Sequence, residues 1–124
     1  MTGTAGFIGF HTAARLAQAG WRVIGADNFT DYYDPALKRA RVKELDNAAV
    51  IHEIDIADAD AFSELVRDTA PEVIIHLAAQ AGVRYSIDNP FAYARSNLTG
   101  HLSVLEACRH AKGLSHLIYA SSSS

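Results

Sequence analysis

The sequence predicts an α/β fold, a doubly wound parallel sheet with helices on both faces. Three observations predict it. Short apolar runs alternate with longer amphipathic segments along all 124 residues. The apolar runs are nearly continuous and rich in β-branched residues, as strands buried on both faces require. A glycine-rich turn, Gly3-Thr4-Ala5-Gly6-Phe7-Ile8-Gly9, heads the first amphipathic segment. Strands that alternate with helices of this length form βαβ units, whose strands lie parallel.

The first helix covers residues 7–19, with Ile8, Thr12 and Leu16 in four-residue steps. It stops at Gly20, because glycine accepts the left-handed conformation that closes a helix. The first apolar run is residues 22–26. Asp34-Pro35 opens the second helix, with Asp as cap and Pro in the first turn. The second run is residues 50–54. Asp58 or Asp60 caps a third helix that carries Phe62, Leu65 and Val66 on one face. The third run is residues 73–77, and the fourth is residues 116–120. Between them a helix spans about residues 90–112, with Leu98, Leu102 and Leu105 as its apolar stripe and Gly113 at its end.

The first strand is apparently missing. In a doubly wound dinucleotide fold the central strand runs directly into the glycine turn. Only Met1 and Thr2 precede that turn here, and a strand takes about 5–6 residues. Removing strand 1 from the order 3-2-1-4-5 leaves a gap, which a swapped partner strand or a rearranged sheet would fill. The chain therefore reads as one partial domain, residues 1–124, cut at its N-terminus through the middle of the sheet.

Composition narrows the function classes. Hydrophobic residues make up 49% and charged residues 20%, which fits a globular domain rather than a disordered chain. No run of about 18 apolar residues marks a membrane span, and residues 1–4 lack the features of a signal peptide. The one cysteine, Cys108, forms no internal disulfide, which fits a reducing, cytoplasmic setting. A net charge of −3 lends no electrostatic support to a nucleic-acid partner. The six histidines show no paired ligand spacing, so no metal is expected. His76 and Cys108 read as packed residues, and Lys38, Arg39, Arg41 and Lys43 as a solvated basic face.

Chemistry concentrates in two motifs. Gly3 and Gly6 let a backbone approach a pyrophosphate, and Gly9 allows close packing of the helix. The helix N-terminus then offers free N–H groups and a positive dipole end to phosphates. Asp27 stands 18 residues after Gly9 at the end of the next strand, near the spacing of a ribose-binding acid. Such a carboxylate accepts from both ribose hydroxyls and repels a 2′-phosphate, favouring NAD over NADP. A ligand-free turn and a loop-capping Asp are the plain alternatives.

Together with Asp55-Ile56, His76-Leu77-Ala78-Ala79-Gln80 and Tyr119-Ala120-Ser121-Ser122, these motifs resemble extended short-chain dehydrogenase/reductases with a Rossmann-like sheet. More narrowly, the chain resembles the NAD-dependent nucleotide-sugar epimerase/dehydratase family. Asp27-Asn28-Phe29-Thr30-Asp31-Tyr32-Tyr33-Asp34 and Gln80-Ala81-Gly82-Val83-Arg84-Tyr85-Ser86 are most similar to UDP-glucuronate 4-epimerases.

The resemblance implies roles. Gly3, Gly6 and Gly9, with Phe7 and Ile8, match the pyrophosphate turn. Asp27 and Asn28 match the adenosine-ribose site, and Asp55 and Ile56 the pair beside the adenine. Leu77, Ala78, Ala79 and Gln80 match the loop under the nicotinamide-side phosphate and ribose. Asn97 matches an asparagine that supports the active-site backbone. Ser122, with Ser121 and Ser123 as close neighbours, matches the catalytic hydroxyl. Arg84 is either a surface arginine or the partner of a sugar carboxylate or phosphate, with Tyr85 and Ser86 beside it. The family's Tyr-x-x-x-Lys pair does not occur, since none of Tyr32, Tyr33, Tyr85, Tyr93 and Tyr119 has lysine four residues on. The resemblance also implies a C-terminal substrate domain that these 124 residues do not contain, so the chain is expected to be a fragment cut at both ends.

The implied activity of the whole enzyme is inversion at C4 of UDP-glucuronate or a related UDP-sugar through a transient 4-keto sugar. The resemblance implies NAD as cofactor and a nucleotide-sugar substrate as partner, and it is compatible with a homo-oligomer. A dehydratase or reductase of the same superfamily shares these cofactor residues, and a non-catalytic nucleotide-binding fragment is the other reading. The chain alone is expected to be inactive.

Overall fold

The computed structural model describes residues 1–121. Its elements in chain order are α1 (Phe7–Gln18), β1 (Val23–Asp27), α2 (Pro35–Leu45), β2 (Ala49–Glu53), α3 (Ala59–Thr69) and β3 (Val73–His76). There follow α4 (Val83–Asp88), α5 (Pro90–Tyr93), a π-helical stretch (Ala94–Gly100), α6 (His101–His110) and β4 (His116–Tyr119). β1 and β2 pair in parallel, from Val23 opposite Ala49 to Asp27 opposite Glu53. β3 and β4 also pair in parallel, from Val73 opposite His116 to His76 opposite Tyr119.

Thr2 joins the two pairs. It bridges Ala26 of β1 and His76 of β3, both in parallel. Ala26 N–H donates to the Met1 carbonyl (2.9 Å), Gly3 N–H to Ala26 (2.8 Å) and Thr2 N–H to Ile75 (2.9 Å). The order is β2-β1-Thr2-β3-β4, so the gap expected between the halves is closed at its C-terminal end. Three residues suffice because a parallel ladder needs only alternate residues to bond each neighbour. Below Met1 the slot opens into a cleft of about 560 Å³ between Val23, Ile24, Val73 and Ile75.

Side chains alternate across a strand, and the two cores follow that alternation. Val23 joins Phe10, Ala13, Leu45 and Ala49 under α1 and α2. Ala26 joins Ile56, Phe62, Val66, Ile74, Val104 and Ala107 under α3 and α6. Caps set the helix starts. Asp34 accepts from Ala36 N–H (2.9 Å) with Pro35 in the first turn, and Asp58, not Asp60, accepts from Ala61 N–H (3.1 Å).

Three expectations change. The helix placed at residues 90–112 is three consecutive helical stretches ending at His110, preceded by the separate α4. Its leucine stripe faces outward, with Leu98, Leu102 and Leu105 exposed by 71%, 59% and 39%. The inner face is Gly100, Ser103, Val104 and Ala107, because small residues let α6 approach α3 and Ile56 closely. A Cβ on Gly100 would stand 2.7 Å from the Ile56 side chain. Burial on both faces holds for β1 but not for the edge strands: Val50 and Glu53 of β2 are exposed, as are His116, Ile118 and Tyr119 of β4.

Candidate cofactor-binding site

A cleft opens at the C-terminal ends of β1 and β3, where chain connections diverge to either side of the central position. Ligands in open α/β sheets bind at such a switch point. Its lining includes Gly3, Gly6, Asp27, Asn28, Lys38, Ile54, Ile56 and the loop from Leu77 to Ala81.

The glycine turn forms the floor. Gly3 has φ +69°, and a Cβ there would lie 2.8 Å from Ala78 N. A Cβ on Gly9 would lie 2.0 Å from the Gly3 carbonyl oxygen, so α1 packs directly on the turn. Gly6 is the N-cap of α1, which has no side-chain cap bond and no acid in its first turn. Its leading N–H groups are therefore available to an anion. Phe7 and Ile8 are each 65% exposed, and their N–H groups lie in the first turn of α1.

Asp27 ties the turn to the sheet. Its Oδ2 accepts from Ala5 N–H (3.0 Å) and its Oδ1 from Phe29 N–H (2.9 Å). Lys38 donates from Nζ to the same Oδ1 (3.1 Å), with both side chains under 10% exposed. Lys38 also reaches Thr30 Oγ1 (3.4 Å) and lies over the Tyr33 ring. The expectation that Lys38 belongs to a solvated face is therefore wrong. In α2, Lys38 and Leu45 are buried together, two turns apart on one face. That seven-residue spacing was the available signal. Arg41, in the same helix, donates to the Ala5 carbonyl (3.3 Å).

The other candidates divide. Ile56 is buried at the wall beside Ile54, whereas Asp55 turns to Arg95, accepting from Nε (3.1 Å) and Nη2 (3.0 Å). Ala57 N–H also donates to Asp55 (2.9 Å). Leu77, Ala78, Ala79 and Gln80 line the cleft together. Asn97, in the π-helical stretch, accepts from Gln80 N–H (2.8 Å) and donates to its carbonyl (3.0 Å). Asn28 lines the rim and accepts from Thr30 N–H (3.4 Å). Arg84, Tyr85 and Ser86 stand on α4, apart from the cleft lining. Tyr85 packs on Tyr32, ring centroids 4.8 Å apart. Ser122 lies outside the described residues.

His76 ends β3 below this loop and is buried, as expected. Burial and the neighbouring His101 lower its pKa to about 4. Burial also pushes the Cys108 thiol up. Among the described residues no group of His, Cys, Asp or Glu is arranged to hold a metal ion, and no helix is long and apolar enough to cross a membrane.

Parallel sheet, glycine turn and strand-end carboxylate define a Rossmann-like nucleotide-binding domain. Residues 1–124 match the NAD dependent epimerase/dehydratase family, and the chain belongs to that family. It is 46% identical over 125 residues to UDP-glucuronate 4-epimerase 3 of Arabidopsis thaliana, a match covering 100% of this chain and 29% of that protein. It superposes on the crystal structure of a UDP-glucuronic acid 4-epimerase mutant from Bacillus cereus, in complex with UDP-4-deoxy-4-fluoro-glucuronic acid and NAD. That match has a TM-score of 0.85 and 35% identity and covers 99% of this chain and 39% of the other. The UDP-glucose 4-epimerase of Thermotoga maritima, crystallised with UDP-glucose, matches with a TM-score of 0.83 and 33% identity over 98% of this chain and 36% of its own. The chain thus spans well under half the length of each of these relatives.

Proposed function

We propose that the chain is the NAD-binding part of a nucleotide-sugar 4-epimerase whose substrate is UDP-glucuronate. The hydrogen bond from Ala5 N–H to Asp27 Oδ2 (3.0 Å) carries this reading. It locks the anion-binding turn and the strand-end acid into one unit, with the geometry of adjacent pyrophosphate and ribose subsites. A carboxylate has about four lone-pair sites and an ammonium three donors. Three donors occupy Asp27, and two acceptors occupy Lys38. One hydroxyl of a ribose diol can therefore donate to Asp27 while the other accepts from Lys38. A 2′-phosphate would remove the donor that Asp27 needs.

Bound NAD supplies the hydride acceptor and donor for C4. The chain's residues supply the cradle: Gly3, Gly6 and the N–H groups of Phe7, Ile8 and Gly9 for the pyrophosphate, with Asp27 and Asn28 for the ribose. Ile56 walls the adenine site beside Asp55. Leu77, Ala78, Ala79 and Gln80, held by Asn97, bear on the nicotinamide side. Ser122 is the proposed hydroxyl that holds the sugar, and Arg84, Tyr85 and Ser86 the proposed contacts to its acidic end. The choice of UDP-glucuronate rests on the two sequence stretches around Asp27 and Arg84 and on the relatives of that name.

Calorimetric titration with NAD, NADP and ADP-ribose tests the reading. NAD and ADP-ribose should bind alike, NADP at least tenfold more weakly, and Asp27→Asn should erase the preference. Equal affinity for NAD and NADP in the parent chain would overturn it.

A further inference from the structure

We propose that His76 is a positioning residue of the cofactor cleft: its Nδ1 takes the hydroxyl proton of Thr2 and thereby aims that oxygen's lone pairs at the backbone of Leu77 and Ala78. Among the described residues the Thr2 hydroxyl has three hydrogen-bond partners. His76 Nδ1 lies at 2.7 Å, Leu77 N at 3.2 Å and Ala78 N at 3.1 Å. A hydroxyl carries one proton and two lone pairs. Both amides are donors only, so they use the lone pairs and the proton must go to His76. Nδ1 is then the bare nitrogen, and Nε2 carries the ring proton. Thr2 is 1% and His76 6% exposed, so water does not compete for these bonds.

The arrangement reaches the cleft through the backbone. Leu77 and Ala78 line it, and Gly3 approaches Ala78 so closely that a Cβ would clash at 2.8 Å. The loop and the glycine turn therefore have no slack between them: Leu77 N–H is shared between the Thr2 hydroxyl and the Thr2 carbonyl (3.3 Å), and Ala78 N–H is held by the Thr2 hydroxyl. The groups packed around the His76 ring support its acceptor role. His101 stacks on it from α6 at 5.2 Å, and Tyr119 of β4 meets His101 edge-on at 5.3 Å. Neither supplies a negative charge that would favour the imidazolium. Protonated at Nδ1, His76 would become a donor, and Thr2 would keep only one lone pair for two amides.

The link to cofactor affinity rests on the proposed NAD site, so the test reads the two parts separately. Nitrogen NMR of the unliganded chain should show His76 with a bare Nδ1 and a protonated Nε2. Amide hydrogen exchange at Ala78 should speed about tenfold in His76→Leu and in Thr2→Val, as loss of one buried hydrogen bond implies, and less at Leu77, which keeps the Thr2 carbonyl as acceptor. It should return to near the parent rate in His76→Asn, whose amide oxygen can accept in place of Nδ1, and in Thr2→Ser. Affinity for NAD should fall about tenfold in the first two variants and recover in the second two. A protonated Nδ1, or unchanged exchange at Ala78 in Thr2→Val, would overturn the proposal. The NMR readout needs no variant to fold. Exchange that responds as described in a chain that binds no NAD would leave the positioning role standing and sink the cofactor reading instead.

Discussion

Lys38→Met gives the sharpest energetic test of how the site is built. The Lys38 and Asp27 side chains are 8% and 5% exposed and lie 3.1 Å apart. Removing one partner of a buried pair costs about 3–5 kcal/mol, because the other charge stays desolvated. Asp27 keeps two backbone donors, Ala5 and Phe29, so the low end applies, about 3 kcal/mol. Methionine retains most of the stem volume, which confines the loss to the charge. Urea unfolding followed by far-ultraviolet circular dichroism measures it. With m of about 1–3 kcal/mol/M, the midpoint should fall by at least about 1 M. Adding Asp27→Asn removes the stranded charge, so the double variant should be more stable than Lys38→Met alone, with a coupling of about 2 kcal/mol. A cost below about 1 kcal/mol together with zero coupling would refute the reasoning and return Lys38 to the solvated surface.

Other consequences follow from single contacts. Gly9→Ala places a methyl group 2.0 Å from the Gly3 carbonyl oxygen. It should destabilise the chain by more than about 2 kcal/mol, measurable in the same urea assay. Asn97→Ala removes both bonds to the Gln80 backbone (2.8 and 3.0 Å). It should cost about 1–3 kcal/mol and speed amide exchange at Gln80. His76 has its pKa lowered from 6.5 to about 4, so its neutral form is fully favoured by folding above pH 6.5. The unfolded chain takes up the proton first, and stability falls as pH drops from 6.5 towards 4, by at most about 3 kcal/mol. His76→Asn should flatten that part of the stability–pH profile, and an unchanged profile would contradict the assignment.

Local signals were legible in the sequence, and signals that depend on tertiary rotation were not. The glycine turn, the Asp34-Pro35 cap and the β1 run are set within a few residues, and they stand where the pattern predicts. Lys38 was misread because charge alone suggests solvent, and only the orientation of α2 points its ammonium at Asp27. Leu98, Leu102 and Leu105 were misread as a core stripe because the helix carries two apolar faces. Packing against α3 selects the smaller one, Gly100, Ser103, Val104 and Ala107. α4 is only six residues long and follows Gly82 at φ +91°, so it has too little periodicity to stand out from a loop. The missing first strand was legible, because only Met1 and Thr2 precede the glycine turn, and no full strand lies between β1 and β3 in the sheet among the described residues. That Thr2 bridges Ala26 and His76 across the gap was not, because an isolated bridge carries no periodic signal.

The central claim is that one cleft, built on the glycine turn and Asp27, binds NAD. Mapping amide chemical shifts during an NAD titration tests it most directly. Saturable shifts are expected at Gly3, Gly6, Phe7, Ile8 and Gly9, at Asp27 and Asn28, and from Leu77 to Gln80, with the slot of about 560 Å³ beside Val73 unaffected. Shifts confined to that slot, or saturation without movement of the glycine turn, would contradict it.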